Sequence, residues 1–336
     1  MTAARSGKTA ADGRTEAADE ARAAEAGIAE AGIAGVGRAS HVAEDEQTAR
    51  GARSGAASAL PDPPSAPRRA AGAPSILGAG LASIGLELRA YFRTPDTVFF
   101  TFLFPILMLG IFGVAFESAG EIAPGVTMAD YYLPGMVAAG LLLTGVQNLA
   151  VDIAREKSEG WLRRLGGTPV SPVSYFIGKA GMILITSVAQ LALLLAFAAL
   201  ALGVELPAEP ALWGRFAWLF LLGIATMTLL GIALSAVPRS SRSATAVVLP
   251  IVLLLQFISG VYLQFSMLPD WLQNIASAFP LKWLAQGMRS VFLPESFAAA
   301  EPSGAWDLGL VALNLAGWLV VGLVLSLVTF RWQRRS

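Results

Sequence analysis

The sequence predicts an all-α integral membrane protein with six transmembrane helices, an N-terminal amphipathic interfacial helix and an outer re-entrant helical segment. Hydrophobic residues make up 55% of the 336 residues and charged residues only 14%, whereas about a quarter of the residues in a soluble domain are charged. Six long uncharged runs are the second observation, since about 20 apolar residues cross the hydrocarbon core of a bilayer. The predicted spans are residues 97–116, 131–151, 180–204, 216–238, 243–263 and 308–330.

Residues 1–74 differ sharply in composition from the rest of the chain. They are rich in Ala, Gly, Glu, Asp, Arg and Ser and end in a proline-rich run from Leu60 to Pro67. A segment with so few large apolar side chains cannot bury enough surface to offset its conformational entropy. We therefore expect a disordered Ala/Gly/Pro-rich tail over residues 1–74 and a membrane domain over residues 75–336.

Basic residues are distributed unevenly between the predicted spans. Alternate connecting segments hold 21 and 3 of the 24 Lys and Arg residues. Basic residues near spans are retained on the cytoplasmic side of a membrane. The count predicts a multi-pass protein of the cell membrane with both termini, and hence the tail, in the cytoplasm.

An amphipathic segment precedes the first span. Leu77, Leu81, Ile84, Leu88 and Tyr91 recur every three or four residues, which places them on one face of a helix. This pattern is typical of a helix that lies on the inner membrane surface in contact with lipid. The Thr-Pro pair at residues 94–95 should end this helix, because proline restricts the residue before it.

The loop between spans two and three, residues 152–179, carries dense charge of both signs. A short helix there would present the apolar residues Trp161, Leu162 and Leu165 on one side. The side that faces water would carry Arg155, Glu156, Glu159, Arg163 and Arg164. Such a helix could dock on a protein partner, and a solvated loop that contacts anionic lipid is an equally open alternative.

The long outer connection between spans five and six is too apolar for an open aqueous loop. Prolines, among them Pro269 and Pro280, divide it into short pieces that contain Trp271 and other large apolar residues. These features favour helices that enter the outer leaflet partway. Lys282 and Arg289 would then reach the headgroups or face a cavity. An interfacial packing element without substrate contact is the alternative.

Several kinds of chemistry are excluded by residue types that the chain lacks. There is no Cys, and His41 is the one histidine, so catalytic triads and Cys- or His-ligated metal sites are hard to assemble. Residues 6–9 resemble the end of a phosphate-binding loop, but Thr2 stands where that motif needs Gly. A net charge of zero gives no reason to expect nucleic acid. We expect no catalytic residue, metal or cofactor in this chain.

Two other function classes fit the sequence less well. An ion-coupled secondary transporter usually places charged residues inside its spans, and no charge interrupts the six runs. The polar residues inside them are amides, which more often bond between helices: Gln147, Asn148, Gln190, Gln256 and Asn314. A membrane-embedded enzyme would need surface carboxylates such as Asp152 or Asp270, and neither has an obvious partner in the sequence.

From about Leu81 onward the chain resembles the membrane subunits of ABC-2 type exporters, and most closely the daunorubicin-exporter-like permeases of actinobacteria. The motifs that carry the resemblance are Arg93-Thr94-Pro95, Phe104-Pro105, Tyr131-Tyr132-Leu133-Pro134-Gly135-Met136, Arg155-Glu156 through Gly160 to Leu165, Thr168-Pro169-Val170-Ser171, Leu268-Pro269-Asp270-Trp271-Leu272, Phe279-Pro280-Leu281 and Gly287-Met288-Arg289. After its glycine the family usually has a small polar residue, where this sequence has Trp161.

The resemblance implies a partner and a mechanism. In such proteins the loop carried here by residues 152–171, with Gly160, Thr168 and Pro169, is a coupling helix that sits in a groove of a separate ATPase subunit. ATP and Mg would be bound by that subunit. Two permease copies, as a homodimer or a heterodimer, would form the pathway. The implied activity is export of an amphipathic drug, secondary metabolite or lipid-like substrate, and the implied biological role is antibiotic resistance.

Overall fold

The computed structural model describes residues 75–116, 120–165, 167 and 171–329. These residues fall within one compact unit bounded by Ala71 and Ser336. The predicted tail, residues 1–74, lies outside the described residues, and so do Thr168 and Pro169 of the predicted coupling loop.

The described part of the chain is helical and contains no strand. Its ten α-helices are α1 Ile76–Phe92, α2 Pro95–Ala115, α3 Met128–Ser158, α4 Trp161–Leu165, α5 Pro172–Ala201, α6 Pro210–Leu234, α7 Ser241–Ile258, α8 Asp270–Ser277, α9 Pro280–Phe292 and α10 Leu308–Thr329. Short 3₁₀ turns, Phe265–Met267 and Glu295–Ala300, lie between α7 and α10. The predicted all-α class is confirmed.

Five of these helices are long and apolar enough to cross a membrane: α2, α3, α5, α6 and α10. The sixth predicted span corresponds to α7, whose apolar part, Arg242–Ile258, is shorter. Seventeen residues reach only about 26 Å, which is at the short end of the range for a spanning helix. The chain is an all-α integral membrane protein, and the count of six spans stays a prediction.

Several predicted span ends are displaced in the structure, among them the ends of the second and fifth spans. The second span was predicted to end at 151, but α3 continues to Ser158, because residues 152–158 are mostly good helix formers. The fifth was placed at residues 243–263, but α7 ends at Ile258. Gly260 follows with a φ of 76°, a left-handed conformation that commonly ends helices.

Proline and side-chain caps define where the helices begin. Pro95 is the first residue of α2, a position where its missing N–H is not needed, so the predicted break at residues 94–95 is confirmed. At the start of α3, Asp130 accepts a hydrogen bond from the backbone N–H of Thr127 at 2.8 Å. The Thr127 hydroxyl accepts one from the Asp130 N–H, which completes a capping box.

The middle of α3 contains a π-helical segment, Leu143–Asn148, and α6 crosses it there. A Cβ on Gly231 of α6 would collide with the carbonyl oxygen of Gly145, and it would lie 3.1 Å from the Cα of Val146. Small residues let the backbones of membrane helices approach closely. The two spans therefore meet backbone to backbone at this crossing.

Helix α1 packs along α5 rather than standing alone on a surface. Added Cβ atoms at Gly80 of α1 and Gly181 of α5 would lie within 2.9 Å of side chains on the other helix. The predicted apolar stripe divides, since Tyr91 is buried whereas Leu77 and Leu81 are 63% and 57% exposed. The exposed part of the stripe remains available for lipid.

The outer connection forms two helices too short to span a bilayer. Helix α9 packs against α3, α6 and α10, and a Cβ on its Gly287 would lie 2.6 Å from Leu219 of α6. Most residues of α9 are buried. This helix is therefore part of the bundle.

Candidate coupling site and adjoining cavity

The charged segment begins on α3 beyond its apolar part. After Ser158 the chain turns at Gly160, whose φ is 74°, a conformation that costs other residues about 1–2 kcal/mol. Helix α4 follows at once, and Ser171 caps the start of α5 by accepting from the Ser174 N–H at 3.1 Å. The predicted bounds of the loop, residues 152–179, are thus wrong at both ends, since residues 152–158 and 172–179 are helical.

Four of the predicted coupling residues form an exposed tip. Glu159, Trp161, Arg163 and Arg164 are exposed, and Trp161 keeps 52% of its surface accessible. Leu162 and Leu165, also on α4, are half-buried. An exposed Trp beside two Arg is the composition that dominates binding energy at protein interfaces. We call residues 159–165 the coupling tip.

Glu156 does not belong to that tip. Its carboxylate accepts hydrogen bonds from Lys179 Nζ at 2.6 Å and from the Tyr175 hydroxyl at 2.6 Å. Arg155 is also engaged within the chain, because its guanidinium contacts Asp152 at 2.6 Å. The sequence predicted Glu156 on the side of the loop that faces water. The structure places it against α5, because α3 extends far enough to reach that helix.

Lys179 stands at the centre of a cluster of acidic side chains. Its Nζ lies 2.7 Å from Glu87 of α1, and 2.5 Å and 2.6 Å from Asp152 and Glu156 of α3. Lys179 is 1% exposed, and the three carboxylates are 17%, 26% and 16% exposed. One lysine therefore joins three helices directly beneath the coupling tip. We call these four residues the lysine cluster.

Three converging carboxylates could in principle hold a metal ion, since their oxygen atoms lie within 4.8 Å of one another. The ammonium of Lys179 already lies within hydrogen-bond distance of all three, however, and supplies the positive charge that the group needs. We therefore interpret the cluster as an ion-pair network.

The sequence contained one signal for the lysine cluster that our prediction missed. Lys179 lies on an apolar helix, two turns from its first residue, Pro172. A lysine that is buried in such a helix needs an acidic partner. Which carboxylates supply it depends on how α1 and α3 pack against α5, and the spacing of residues along the sequence does not specify this packing.

A cavity of about 510 Å³ adjoins the lysine cluster. It is open on one side and lined by α1, α2, α3, α5 and α7, and its wall includes Glu87, Asp152 and Glu156. Farther along, the wall is formed by apolar side chains such as Phe104 and Leu249. This volume lies within the usual range of sites for small organic molecules, about 300–1,000 Å³.

The outer basic residues Lys282 and Arg289 are buried, so of their two predicted positions, at the headgroups or facing a cavity, the first is wrong. Arg289 donates to Glu301 at 2.6 Å with both side chains at most 3% exposed. Lys282 donates to Gln286 at 2.5 Å, and its Nζ lies 3.7 Å from the ring centre of Trp283. Burial lowers the pKa of Lys282 to about 8.

The other residues predicted for the outer segment have simpler positions. Pro269 precedes α8 at its N-terminal cap, and Pro280 is the first residue of α9. Trp271 is 64% exposed. Helix α9 carries Lys282 and Arg289 inward because it packs within the bundle instead of along its surface.

Comparison with known proteins decides the family. The family model for the ABC-2 type transporter matches residues 81–293, which is well over half of the chain. This chain belongs to the ABC-2 type transporter family. The match begins within α1 and continues through α9, and therefore includes the coupling tip, the lysine cluster and the cavity.

Two relatives of this chain bear the same name, transport permease ycf38. A protein of Cyanophora paradoxa named as transport permease ycf38 is 26% identical over 241 residues, which cover 71% of this chain and 81% of the relative. The ycf38 protein of Porphyra purpurea is 27% identical over 202 residues, covering 60% and 69%. Together with the family match, these similarities make this ABC-2 chain the membrane subunit of an ABC transporter, a family whose members work with an ATPase subunit.

Proposed function

We propose that this permease exports an amphipathic drug, secondary metabolite or lipid-like molecule across the cytoplasmic membrane, driven by a separate ATPase that grips the coupling tip. The observation that carries the proposal is the coupling tip itself, an exposed Trp161 flanked by Arg163 and Arg164 on a short helix outside the bundle. The resemblance to the daunorubicin-exporter-like permeases supports the outward direction and the substrate class.

The coupling tip is suited to transmit force because its base is held firmly. Asp152 and Glu156 precede it, Lys179 follows it, and the ion pairs between them measure 2.5 and 2.6 Å. Glu87 extends the same network to α1 at 2.7 Å. A push on the tip would therefore move α1, α3 and α5 together. In this proposal, Arg163 and Arg164 form charge-assisted hydrogen bonds with acidic groups of the ATPase.

The full transporter would contain two permease copies and carry ATP and Mg on the ATPase. An ion-coupled secondary transporter remains the alternative function. It would need a carboxylate that exchanges an ion, and the lysine cluster holds carboxylates near a cavity. Their engagement with Lys179 and Arg155 favours the ATP-driven mechanism, because ion exchange would have to break these contacts.

A pair of tryptophan variants tests the docking. The chain would be co-expressed with its ATPase, and the amount of ATPase that co-purifies would be measured. We expect Trp161→Ala to weaken the complex by at least about 2 kcal/mol, roughly 30-fold in affinity. Trp271→Ala is the matched control, since Trp271 is also largely exposed but lies on α8, and it should leave the complex intact. Equal co-purification of both variants would overturn the docking proposal.

Transport itself separates the two function classes. Proteoliposomes that contain permease and ATPase should accumulate a fluorescent amphipathic substrate only with ATP and Mg. Proteoliposomes that contain the permease alone should show no accumulation of the substrate under a proton or sodium gradient. Gradient-driven accumulation without the ATPase would instead establish a secondary transporter.

The proposed orientation can be tested directly because the chain has no cysteine. Glu159→Cys in the coupling tip and Asp270→Cys on α8 would be treated in intact cells with a membrane-impermeant maleimide. We expect labelling of the variant at position 270 and protection at position 159. The reverse pattern would place the coupling tip outside the cell, where no ATPase could reach it.

A further inference from the structure

A second and much smaller cavity lies between α3, α5 and α6. Its volume, counted as the space open to the centre of a water molecule, is about 10 Å³. One water molecule needs about 10–15 Å³ on this measure, so the cavity has room for a single water and for no larger ligand. Eight of the nine residues around it are buried, which places it in the packed interior of the bundle. It shares no lining residue with the cavity beside the lysine cluster.

Two polar side chains of α5 line this small cavity, and each has an atom without a hydrogen-bond partner among the described residues. These atoms are Oγ of Ser187 and Nε2 of Gln190. The two side chains are 1% and 3% exposed, and the other residues around the cavity are apolar. A polar group that is buried without a partner destabilises the folded state. A buried water typically makes two to four hydrogen bonds to such groups.

The two polar atoms lie deep in the bundle. Gln190 is about 27 Å along α5 from its first residue, Pro172, and about 17 Å from its last, Ala201. At that depth the surroundings of the protein are hydrocarbon, in which a polar atom finds no hydrogen-bond partner. A partner for Ser187 and Gln190 therefore has to be held inside the protein.

The amide of Gln190 is fixed against α3. Its Oε1 accepts a hydrogen bond from the hydroxyl of Thr144 at 3.0 Å, and Thr144 belongs to the π-helical segment of α3. A Cβ on Gly140, one turn earlier on α3, would lie 2.5 Å from Nε2 of Gln190. Because the amide is held at both ends, Nε2 cannot turn toward another partner without breaking the bond to Thr144.

We infer that one water molecule binds in this cavity, where it accepts a hydrogen bond from Nε2 of Gln190 and forms a second with Oγ of Ser187. The water keeps the amide in the orientation that accepts from Thr144. It thereby supports the connection between the π-helical segment of α3 and the middle of α5. This inference is independent of the proposed function, since it holds for the permease whatever molecule is transported.

X-ray hydroxyl-radical labelling of the full chain in nanodiscs tests the inference. The X-ray pulse splits a bound water into radicals, which oxidise an adjacent methionine to its sulfoxide, and mass spectrometry measures the oxidation of each methionine. Met136 lines the cavity and Met227 does not, although both are 0% exposed. We expect Met136 to be oxidised at least about threefold faster than Met227. Equal rates would overturn the inference.

Two alanine variants provide a matched comparison. Ser187→Ala removes one partner of the water, so the oxidation of Met136 should fall. The equilibrium constant for unfolding in sodium dodecyl sulfate should rise about fivefold, the effect of one neutral hydrogen bond. Ser259→Ala removes another buried hydroxyl without a partner among the described residues. Ser259 follows α7 and does not line the cavity, so the oxidation of Met136 should be unchanged in this control.

The direction of the stability change in Ser187→Ala is the second decisive result. If the hydroxyl of Ser187 had no partner in the folded protein, its removal would relieve an unsatisfied buried group and stabilise the protein. A Ser187→Ala variant that is as stable as the parent or more stable would therefore overturn the inference. Undiminished oxidation of Met136 in this variant would overturn it as well.

Discussion

Replacing Lys179 with Met would remove the positive charge at the centre of the lysine cluster while keeping most of its volume. Three carboxylates would then face one another with oxygen atoms within 4.8 Å. Two charges at that distance repel by about 3.5 kcal/mol at an effective dielectric constant near 20. Removing one partner of a buried ion pair typically costs about 3–5 kcal/mol. Because these carboxylates are partly exposed, we expect a loss near the lower end of that range, about 3 kcal/mol.

The assay is the free energy of unfolding in mixed micelles, followed by tryptophan fluorescence during titration with sodium dodecyl sulfate. Lys157→Met is the matched control. Lys157 directly follows Glu156 on α3 but is exposed, so its replacement should change the free energy of unfolding by less than about 0.5 kcal/mol. Lowering the pH should restore part of the stability lost by the Lys179 variant, because protonation of one carboxylate relieves the repulsion.

A second substitution makes the reasoning refutable. With Lys179 present, Glu87→Gln removes an attractive contact and should destabilise the protein. With Met at position 179, the same change removes repulsion and should stabilise it. The sign of the Glu87→Gln effect must therefore reverse between the two backgrounds. A Lys179→Met variant as stable as the parent, or an effect of equal sign in both backgrounds, would refute the ion-pair interpretation.

Three further predictions use the same titration. Gly231→Ala should cost about 1–3 kcal/mol, because the added methyl meets backbone of α3. Gly214→Ala on the same helix has open space and should be neutral or stabilising, so equal losses would contradict the crossing. Arg289→Met should cost about 3–5 kcal/mol by leaving Glu301 buried without its partner, and a Glu301→Gln change in that background should recover part of this loss. Burial lowers the pKa of Lys282 in the folded protein from 10.5 to about 8. Between these two pH values the lysine is protonated in the unfolded state and mostly neutral in the folded state. The free energy of unfolding should therefore rise from about pH 8 to pH 10.5. This rise in stability should vanish in Lys282→Met. If the free energy of unfolding of the parent and of the variant changed with pH in the same way, the prediction would be refuted.

The sequence was informative wherever a property depends on neighbours along the chain. Long uncharged runs located the five helices that are long and apolar enough to span a membrane, and the Thr-Pro pair located the end of α1. The presence of a short helix after Gly160 could also be predicted, because Trp161 and Leu165 are spaced by one helical turn.

Properties that depend on packing between distant segments were not predictable in the same way. Glu87 and Lys179 are 92 residues apart, and their contact arises from small residues that bring α1 close to α5. Arg289 is charged and was therefore expected at the headgroups or facing a cavity. It is buried because α9 packs inside the bundle and the turn before α10 brings Glu301 to it. No periodicity in the sequence specifies either pairing.

The ion pairs of Asp152 and Glu156 with Lys179 also clamp together the two points where the chain leaves and re-enters the bundle. The coupling tip is thus attached to a fixed base, and the membrane helices need not adjust when the composition of the tip changes. In the proposed docking mode, such an arrangement separates partner choice from the architecture of the pathway. A lineage of these permeases could acquire a new motor by rewriting a short stretch of residues and leaving the spanning helices untouched.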